Sequence, residues 1–406
     1  MLSSPIQPSH PINYHSLQST ISASVPSTAS AVITTKNKST KNMTPVPSSD
    51  SKSAPAVKIQ TEDSFNIPNN TLRIGSRKSK LAVKQSEIVG EVISKKFPQI
   101  STPIVTVSTL GDQFQNRPLY SFGGKALWTK ELEILLLESV GEYEKIDLIV
   151  HSLKDMPTSL PDEFELGCIL EREDPRDALV MKIDSPYKSL GDLPDGSVVG
   201  TSSVRRSAQL LKNFPHLQFK SVRGNINTRL SKLDDSEQGY DCIILAAAGL
   251  LRLNLDFRIT QYLNEDIMYH AVGQGALGIE VRKNDPVLSK VCKEIVHFES
   301  AICCAAERSL LKFLEGGCSV PVGCKTHYNK SDKTLELKAI VLSTDGKESV
   351  EDELTATIES IKDAQELGVN LAKIMIENGA KKILDEINFD KINEIKQAGL
   401  TNQIQN

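Results

Sequence analysis

After Leu72 the chain repeats one pattern: a short apolar run, a polar stretch carrying serine, glycine or arginine, then a segment whose apolar residues have helical spacing. Strand-like runs alternating with helical segments describe βαβ units, which build largely parallel sheets covered by helices. The strand candidates are Leu72–Ile74, Ile104–Thr109, Ile146–Val150, Ala178–Met181, Ser197–Gly200, Gln218–Val222 and Cys242–Ala246. Between them, Thr129–Val140 sets Leu132, Leu135, Leu136 and Val140 on one helical face, with Thr129 as N-cap and Glu131 and Glu133 in the first turn. From about residue 290 the pattern becomes helix-rich, then strand-like at Leu335–Leu342, then helical at Ile361–Asn378 and Lys381–Ile387. That change predicts a separate α+β unit.

At 406 residues the chain exceeds what one hydrophobic core serves, so two or three domains are expected. Its 39% hydrophobic and 24% charged residues suit a globular chain. No apolar run reaches the roughly 18–20 residues of a membrane helix. A net charge of −4 argues against broad nucleic-acid binding, so any anion site is local. Neither a membrane nor a nucleic acid is an expected partner. Seven cysteines, none before Cys168, form no CxxC pair and no even disulfide framework, which fits reduced thiols in a cytosol-like compartment. The first sixty residues hold 20 Ser or Thr, 7 Pro, 5 Lys and one acid, Asp50, without apolar periodicity. They read as a disordered extension with no core. Such composition also resembles an organelle transit peptide, but those are usually arginine-rich and no arginine precedes Arg73. Cytoplasmic localisation is the expectation and mitochondrial the alternative.

Open α/β sheets bind ligands beyond the carboxyl ends of their strands. Four candidate strands run there into Gly75-Ser76-Arg77-Lys78-Ser79-Lys80, His151-Ser152-Leu153-Lys154-Asp155, Thr201-Ser202-Ser203-Val204-Arg205-Arg206 and Arg223-Gly224-Asn225. Ser202 or Ser203 is a natural N-cap, which places Arg205 and Arg206 at the positive end of a helix dipole. Cations there are disfavoured by about 0.3–1 kcal/mol each, a cost that a bound anion offsets. One such dipeptide alone reads as solvated surface. Four strand ends together read as a cleft for several carboxylates or phosphates, with Arg77, Lys154, Arg205, Arg206, Arg223 and Arg229 as its cations. GxxxxGK[ST] is absent, and the one GxGxxG, Gly273-Gln274-Gly275-Ala276-Leu277-Gly278, follows no candidate strand, so a nucleoside triphosphate or a dinucleotide is not indicated.

Asp155 is the acid among these bases. A partly buried carboxylate held ionised by neighbouring cations either stabilises a developing positive charge or is a structural ion-pair partner. Cys318, in Leu314-Glu315-Gly316-Gly317-Cys318-Ser319-Val320-Pro321, sits in a glycine- and proline-flanked loop. It is a candidate anchor or nucleophile, against the alternative of a small buried hydrophobe. Cys324 follows six residues on, but no partners complete a zinc spacing, and no metal is expected.

The chain resembles the porphobilinogen deaminases (hydroxymethylbilane synthases), most closely their fungal form, over about residues 71–390. The resemblance rests on Leu72-Arg73-Ile74-Gly75-Ser76-Arg77-Lys78-Ser79, Gly123-Gly124-Lys125, His151-Ser152-Leu153-Lys154-Asp155-Met156-Pro157, Arg172-Glu173-Asp174-Pro175-Arg176-Asp177-Ala178, Gly200-Thr201-Ser202-Ser203-Val204-Arg205-Arg206, Arg223-Gly224-Asn225, Ala271-Val272-Gly273-Gln274-Gly275-Ala276 and Glu315-Gly316-Gly317-Cys318. It implies that Cys318 carries a dipyrromethane cofactor through a thioether and that Asp155 is the catalytic carboxylate. It further implies that Arg77, Ser79, Lys154, Ser203, Arg205, Arg206, Arg223 and Arg229 bind carboxylates of cofactor and substrate, while Lys125 and Trp128 belong to a mobile segment at the cleft. Lys80 departs from the proline of many bacterial members, and the N-terminal extension has no bacterial counterpart.

The resemblance implies an α/β fold in which two type II periplasmic-binding-protein-like domains surround a cleft, followed by a C-terminal α+β domain. The expected division is an extension over 1–70, domain 1 over 71–174 and 270–288, domain 2 over 175–269, and domain 3 over 289–406. The implied activity is a transferase that polymerises four porphobilinogen molecules on the cofactor, releasing hydroxymethylbilane and ammonia in haem biosynthesis, as a monomer. The alternatives are a non-catalytic anion-binding module of the same architecture and a cysteine hydrolase using Cys318 with His151 or His270.

Overall fold

The structure, a computed structural model, describes residues 67–107, 130–314 and 320–387. All of these lie within one compact unit.

The first sheet contains β1 (Ile74–Arg77), β2 (Ile104–Val107), β3 (Leu148–Ser152), β4 (Phe164–Ile169) and β10 (Leu277–Arg282), in the order β2-β1-β3-β10-β4. β1 pairs in parallel with β2 and β3, whereas β10 is antiparallel to β3 and β4. Leu148, Ile149 and Val150 are consecutive and all buried, because helices cover both faces. One face packs against α1 (Lys80–Lys96) through Val89 and Ile93, and the other against α2 (Lys130–Leu137) through Leu132, Leu135 and Leu136.

The second sheet contains β5 (Asp177–Met181), β6 (Val198–Gly200), β7 (Gln218–Lys220), β8 (Cys242–Ala246) and β9 (Gln261–Leu263), in the order β7-β6-β8-β5-β9. Its helices are α3 (Val204–Asn213), α4 (Ile226–Asp234) and α5 (Ala247–Arg252). Both sheets repeat one plan: three parallel strands, one antiparallel strand, then an edge strand. The antiparallel strand of each is the one that directly follows a crossing, β5 after residues 170–176 and β10 after residues 264–276. This reciprocal exchange is the type II binding-protein plan expected from the sequence.

The third unit is a three-stranded antiparallel sheet of β11 (Val322–Asn329), β12 (Thr334–Leu342) and β13 (Ser349–Thr357), joined by helices α7 (Phe298–Phe313), α8 (Ile361–Glu377) and α9 (Ala380–Asp385). A side chain at Gly368 would place its Cβ 2.1 Å from the Ala306 carbonyl oxygen, so α7 and α8 touch backbone to backbone.

Two expected boundaries move. Ile67 is 2% exposed and packs in the first core, and Thr71 bridges to Ser101, so folded structure begins before residue 71. A boundary at 289 would cut α6 (Pro286–Ile295), whose Leu288, Val291, Cys292 and Ile295 belong to the same first core. The expected Thr129 N-cap lies outside the described residues.

Candidate active site

The carboxyl ends of β1, β3 and β6 carry the residues singled out in the sequence. Arg77 closes β1, and Ser79 caps α1 by accepting the amide of Ala82 at 3.3 Å. β3 ends in a 3₁₀ turn, Leu153–Asp155, pinned where the Leu153 amide donates to the Ala276 carbonyl. The turn exposes Asp155, which the sequence had suggested would be partly buried, and half-buries Lys154. Ser203 caps α3 by accepting the Arg206 amide at 3.5 Å.

Asp177, to which the sequence alone assigns no role, organises the next layer. It is 1% exposed and accepts Arg205 Nη1 at 2.7 Å, Arg206 Nε and Nη2 at 3.0 and 2.7 Å, and Gln274 Nε2 at 3.0 Å. Arg206 also donates Nη1 to the Ile244 carbonyl, so all three of its nitrogens are bonded internally. Both guanidiniums are buried and share Asp177 as their local carboxylate. Arg205 differs, since only its Nη1 is bonded, to Asp177 and to the Tyr269 carbonyl, leaving the Nε and Nη2 edge unbonded among the described residues. Against the burial that raises it, the two arginines hold the Asp177 carboxyl far below the ordinary carboxylate range.

Cations outnumber acids here. Burial, with Arg206 and Arg205 opposing Asp155 and Asp177, lowers Lys154 to about 8. Burial, Arg206 and Arg223 lower Arg229 to about 10 against Asp155. These mutual influences place Lys154, Asp155, Arg205, Arg206, Arg223 and Arg229 in one electrostatic neighbourhood. Arg229 is steered by donating Nε to the Gly224 carbonyl at 2.8 Å, and Arg223 Nε lies 3.4 Å from the Ser221 hydroxyl. Gln274 spans the lobes: its Oε1 accepts Lys154 Nζ at 3.3 Å, while its Nε2 reaches the Pro175 carbonyl as well as Asp177. A single acid opening an apolar strand (Asp177) and a Gln between two glycines (Gln274) were the available sequence signals.

Cys318, Lys125 and Trp128 lie outside the described residues. Both histidines of the hydrolase alternative are engaged elsewhere: His151 Nε2 is 2.7 Å from Glu280, and His270 is buried against Arg172, which with burial lowers it to about 4. His270, Glu307 and Cys324 bring three ligand-type atoms within 4.8 Å of one another. Glu307, however, already accepts Arg172 Nη1 at 2.6 Å, Thr326 Oγ1 at 2.7 Å, Gly273 N at 2.8 Å and Arg172 Nη2 at 3.1 Å. A metal ion would have to displace Arg172, so this cluster is a structural anchor.

Two lobes of this topology, with the exposed Asp155 set in a basic neighbourhood fed by both, define a two-lobed α/β protein with a charged candidate site. Residues 72–290 match the family model described as porphobilinogen deaminase, dipyromethane cofactor binding domain, and residues 301–377 match porphobilinogen deaminase, C-terminal domain. Porphobilinogen deaminase of Debaryomyces hansenii is 59% identical over 332 residues, covering 82% of this chain and 92% of that protein. The Saccharomyces cerevisiae porphobilinogen deaminase is 60% identical over 323 residues, covering 79% of this chain and 98% of that protein. This chain belongs to the porphobilinogen deaminase family.

Proposed function

We propose that the cleft joins four porphobilinogen molecules head to tail, losing one ammonia each, on a dipyrromethane held as a thioether by Cys318, and that water then cleaves the bond to this primer, supplying the hydroxyl of the released hydroxymethylbilane. The observation that carries this reading is the exposed Asp155 set among cations that exceed their counter-charges. The residues present fit such a group: burial lowers both Lys154 and Arg229, with Arg206 adding to it in each case, and bound carboxylates would favour their charged forms. When bound, the dipyrromethane supplies the pyrrole α-carbon on which the chain is extended.

Lys154, Arg223, Arg229 and the Nε–Nη2 edge of Arg205 hold acetate and propionate carboxylates, with Arg77 at the end of β1. Arg206 contributes fixed positive potential through Asp177. Ser79 and Ser203 hold the first turns of α1 and α3 so that their amide ends face the anions. Asp155 lies where the substrate pyrrole becomes cationic as ammonia departs. Its carboxylate stabilises that charge and holds pyrrole N–H groups, and is placed to take the proton leaving the α-carbon. The protein works as a cytoplasmic monomer.

Turnover of porphobilinogen by the purified protein tests this. Four ammonia molecules released per linear tetrapyrrole is the expected result. Saturable binding of porphobilinogen without product would instead identify a non-catalytic binding module.

A further inference from the structure

Gln209, on α3 one turn beyond Arg205, is 4% exposed and has no place in the scheme above. Its carboxamide grips Tyr269 from both sides: Oε1 accepts the Tyr269 amide at 2.7 Å, and Nε2 donates to the Tyr269 carbonyl at 3.0 Å and, one turn back on its own helix, to the Arg205 carbonyl at 3.4 Å. This two-way bond fixes the orientation of the amide, since an N–H needs an acceptor and a carbonyl a donor. The same Tyr269 carbonyl accepts Arg205 Nη1 at 2.7 Å. Gln209 therefore holds one of the two acceptors that aim the Arg205 guanidinium, the other being Asp177.

Tyr269 stands in the second crossing, and the third unit packs directly onto it. A Cβ at Gly323 of β11 would lie 2.9 Å from Tyr269 Cβ and 3.0 Å from Gln209 Nε2. The adjoining His270 carbonyl accepts the Cys324 amide at 2.9 Å, and Tyr269 Oη donates to Glu351 of β13 at 2.8 Å. One buried carboxamide thus joins the helix carrying Arg205, the crossing between the lobes, and β11, the strand that follows Cys318 in the sequence.

We infer that Gln209 is a positioning residue for cofactor and substrate binding, acting through the Tyr269 carbonyl to set the aim of Arg205 relative to β11. The inference rests on the assignment of Arg205 as a carboxylate ligand. A buried polar clamp whose only contacts are to backbone has a narrow role: apolar side chains of the same length would fill the space but leave the Tyr269 amide without its acceptor.

Gln209→Met keeps length and removes both bonds to Tyr269 together with the weaker one to the Arg205 carbonyl. Gln209→Glu keeps the acceptor for the Tyr269 amide but turns a second oxygen toward the Tyr269 carbonyl. Asn213→Ala is the control: Asn213 lies on the same helix and bonds the neighbouring Ile267 carbonyl at 2.8 Å, without touching the acceptor of Arg205. Each variant is purified as full chain, its cofactor content read by intact mass, and KM and kcat measured well below its unfolding temperature. For Gln209→Met we expect a lower loaded fraction and a KM raised about fivefold, as one lost hydrogen bond implies, with kcat per loaded enzyme within about twofold. Gln209→Glu should fall the same way, and Asn213→Ala should match wild type. If Gln209→Met keeps wild-type loading and KM, or if Asn213→Ala reproduces its effect, the path through Tyr269 is wrong. An Arg205→Leu arm separates the two levels: normal loading and KM there would overturn the Arg205 assignment itself. An impaired Arg205→Leu beside a normal Gln209→Met would overturn only the role of Gln209.

Discussion

Arg172 grips both oxygens of Glu307, at 2.6 and 3.1 Å, and so ties the first crossing between the lobes to helix α7 of the third unit. Against the burial that raises it, Arg172, His270 and the Gly273 amide hold Glu307 at about 2. Burial and the Arg172 charge hold the adjacent His270 at about 4. Both folded values lie below the ordinary ones, so at low pH the unfolded chain binds more protons than the folded one. Stability is full above about pH 6.5, falls first through His270 as pH drops toward 4, and then through Glu307 toward 2. Urea unfolding should show wild type losing about 2 kcal/mol more between pH 7 and pH 5 than His270→Asn, which lacks the first titration. Equal slopes in the two proteins would remove His270 from the account.

Gly275 has φ +86°, and a side chain there would put its Cβ 2.2 Å from the Glu173 carbonyl oxygen, where the two crossings lie against each other. Gly275→Ala should lose at least about 2 kcal/mol in denaturant unfolding. Gly141 also has positive φ, +59°, but open space around it. Gly141→Ala should lose only about 1 kcal/mol, the strain alone.

Asp155→Asn removes a charge needed mainly when the substrate becomes cationic. Its kcat should fall about 10²–10³-fold with little change in KM, the signature of lost transition-state stabilisation. A normal kcat with raised KM, in steady-state assays of the loaded enzyme, would make Asp155 a binding group only.

Removal of residues 1–66 should leave turnover and thermal stability unchanged. Removal of residues 1–70 should destabilise the protein by about 1.5–3 kcal/mol, because Ile67 leaves the first core. A fluorescent fusion of residues 1–66 should stay in the cytoplasm, and its entry into mitochondria would reverse the localisation proposed.

Much of the lobes was legible because β-branched runs followed by basic loops mark the carboxyl ends of parallel strands. The strands the sequence did not reveal have physical reasons. β9 has three residues, and β4 and β13 mix polar and apolar residues, so neither carries a long apolar run. β10 pairs with strands more than a hundred residues earlier, which local spacing cannot report. In the site, strand-end cations stood out as charges in sequence. Asp177, Gln274 and Glu307 did not, because each acts by binding partners from another segment. The Arg205–Arg206 pair shows the difference: the dipeptide points to a ligand anion at the helix start, while the internal carboxylate that both arginines also share, Asp177, comes from another segment.

The central claim, a cysteine-anchored two-pyrrole primer in an arginine-lined cleft, is tested most directly by intact mass of the denatured protein beside Cys318→Ala. The account predicts that the purified chain is heavier than its sequence by two substituted pyrroles and that Cys318→Ala, folded and inactive, has its sequence mass. A wild-type chain at its sequence mass that still produces hydroxymethylbilane, or an undiminished pyrrole adduct on Cys318→Ala, would contradict it.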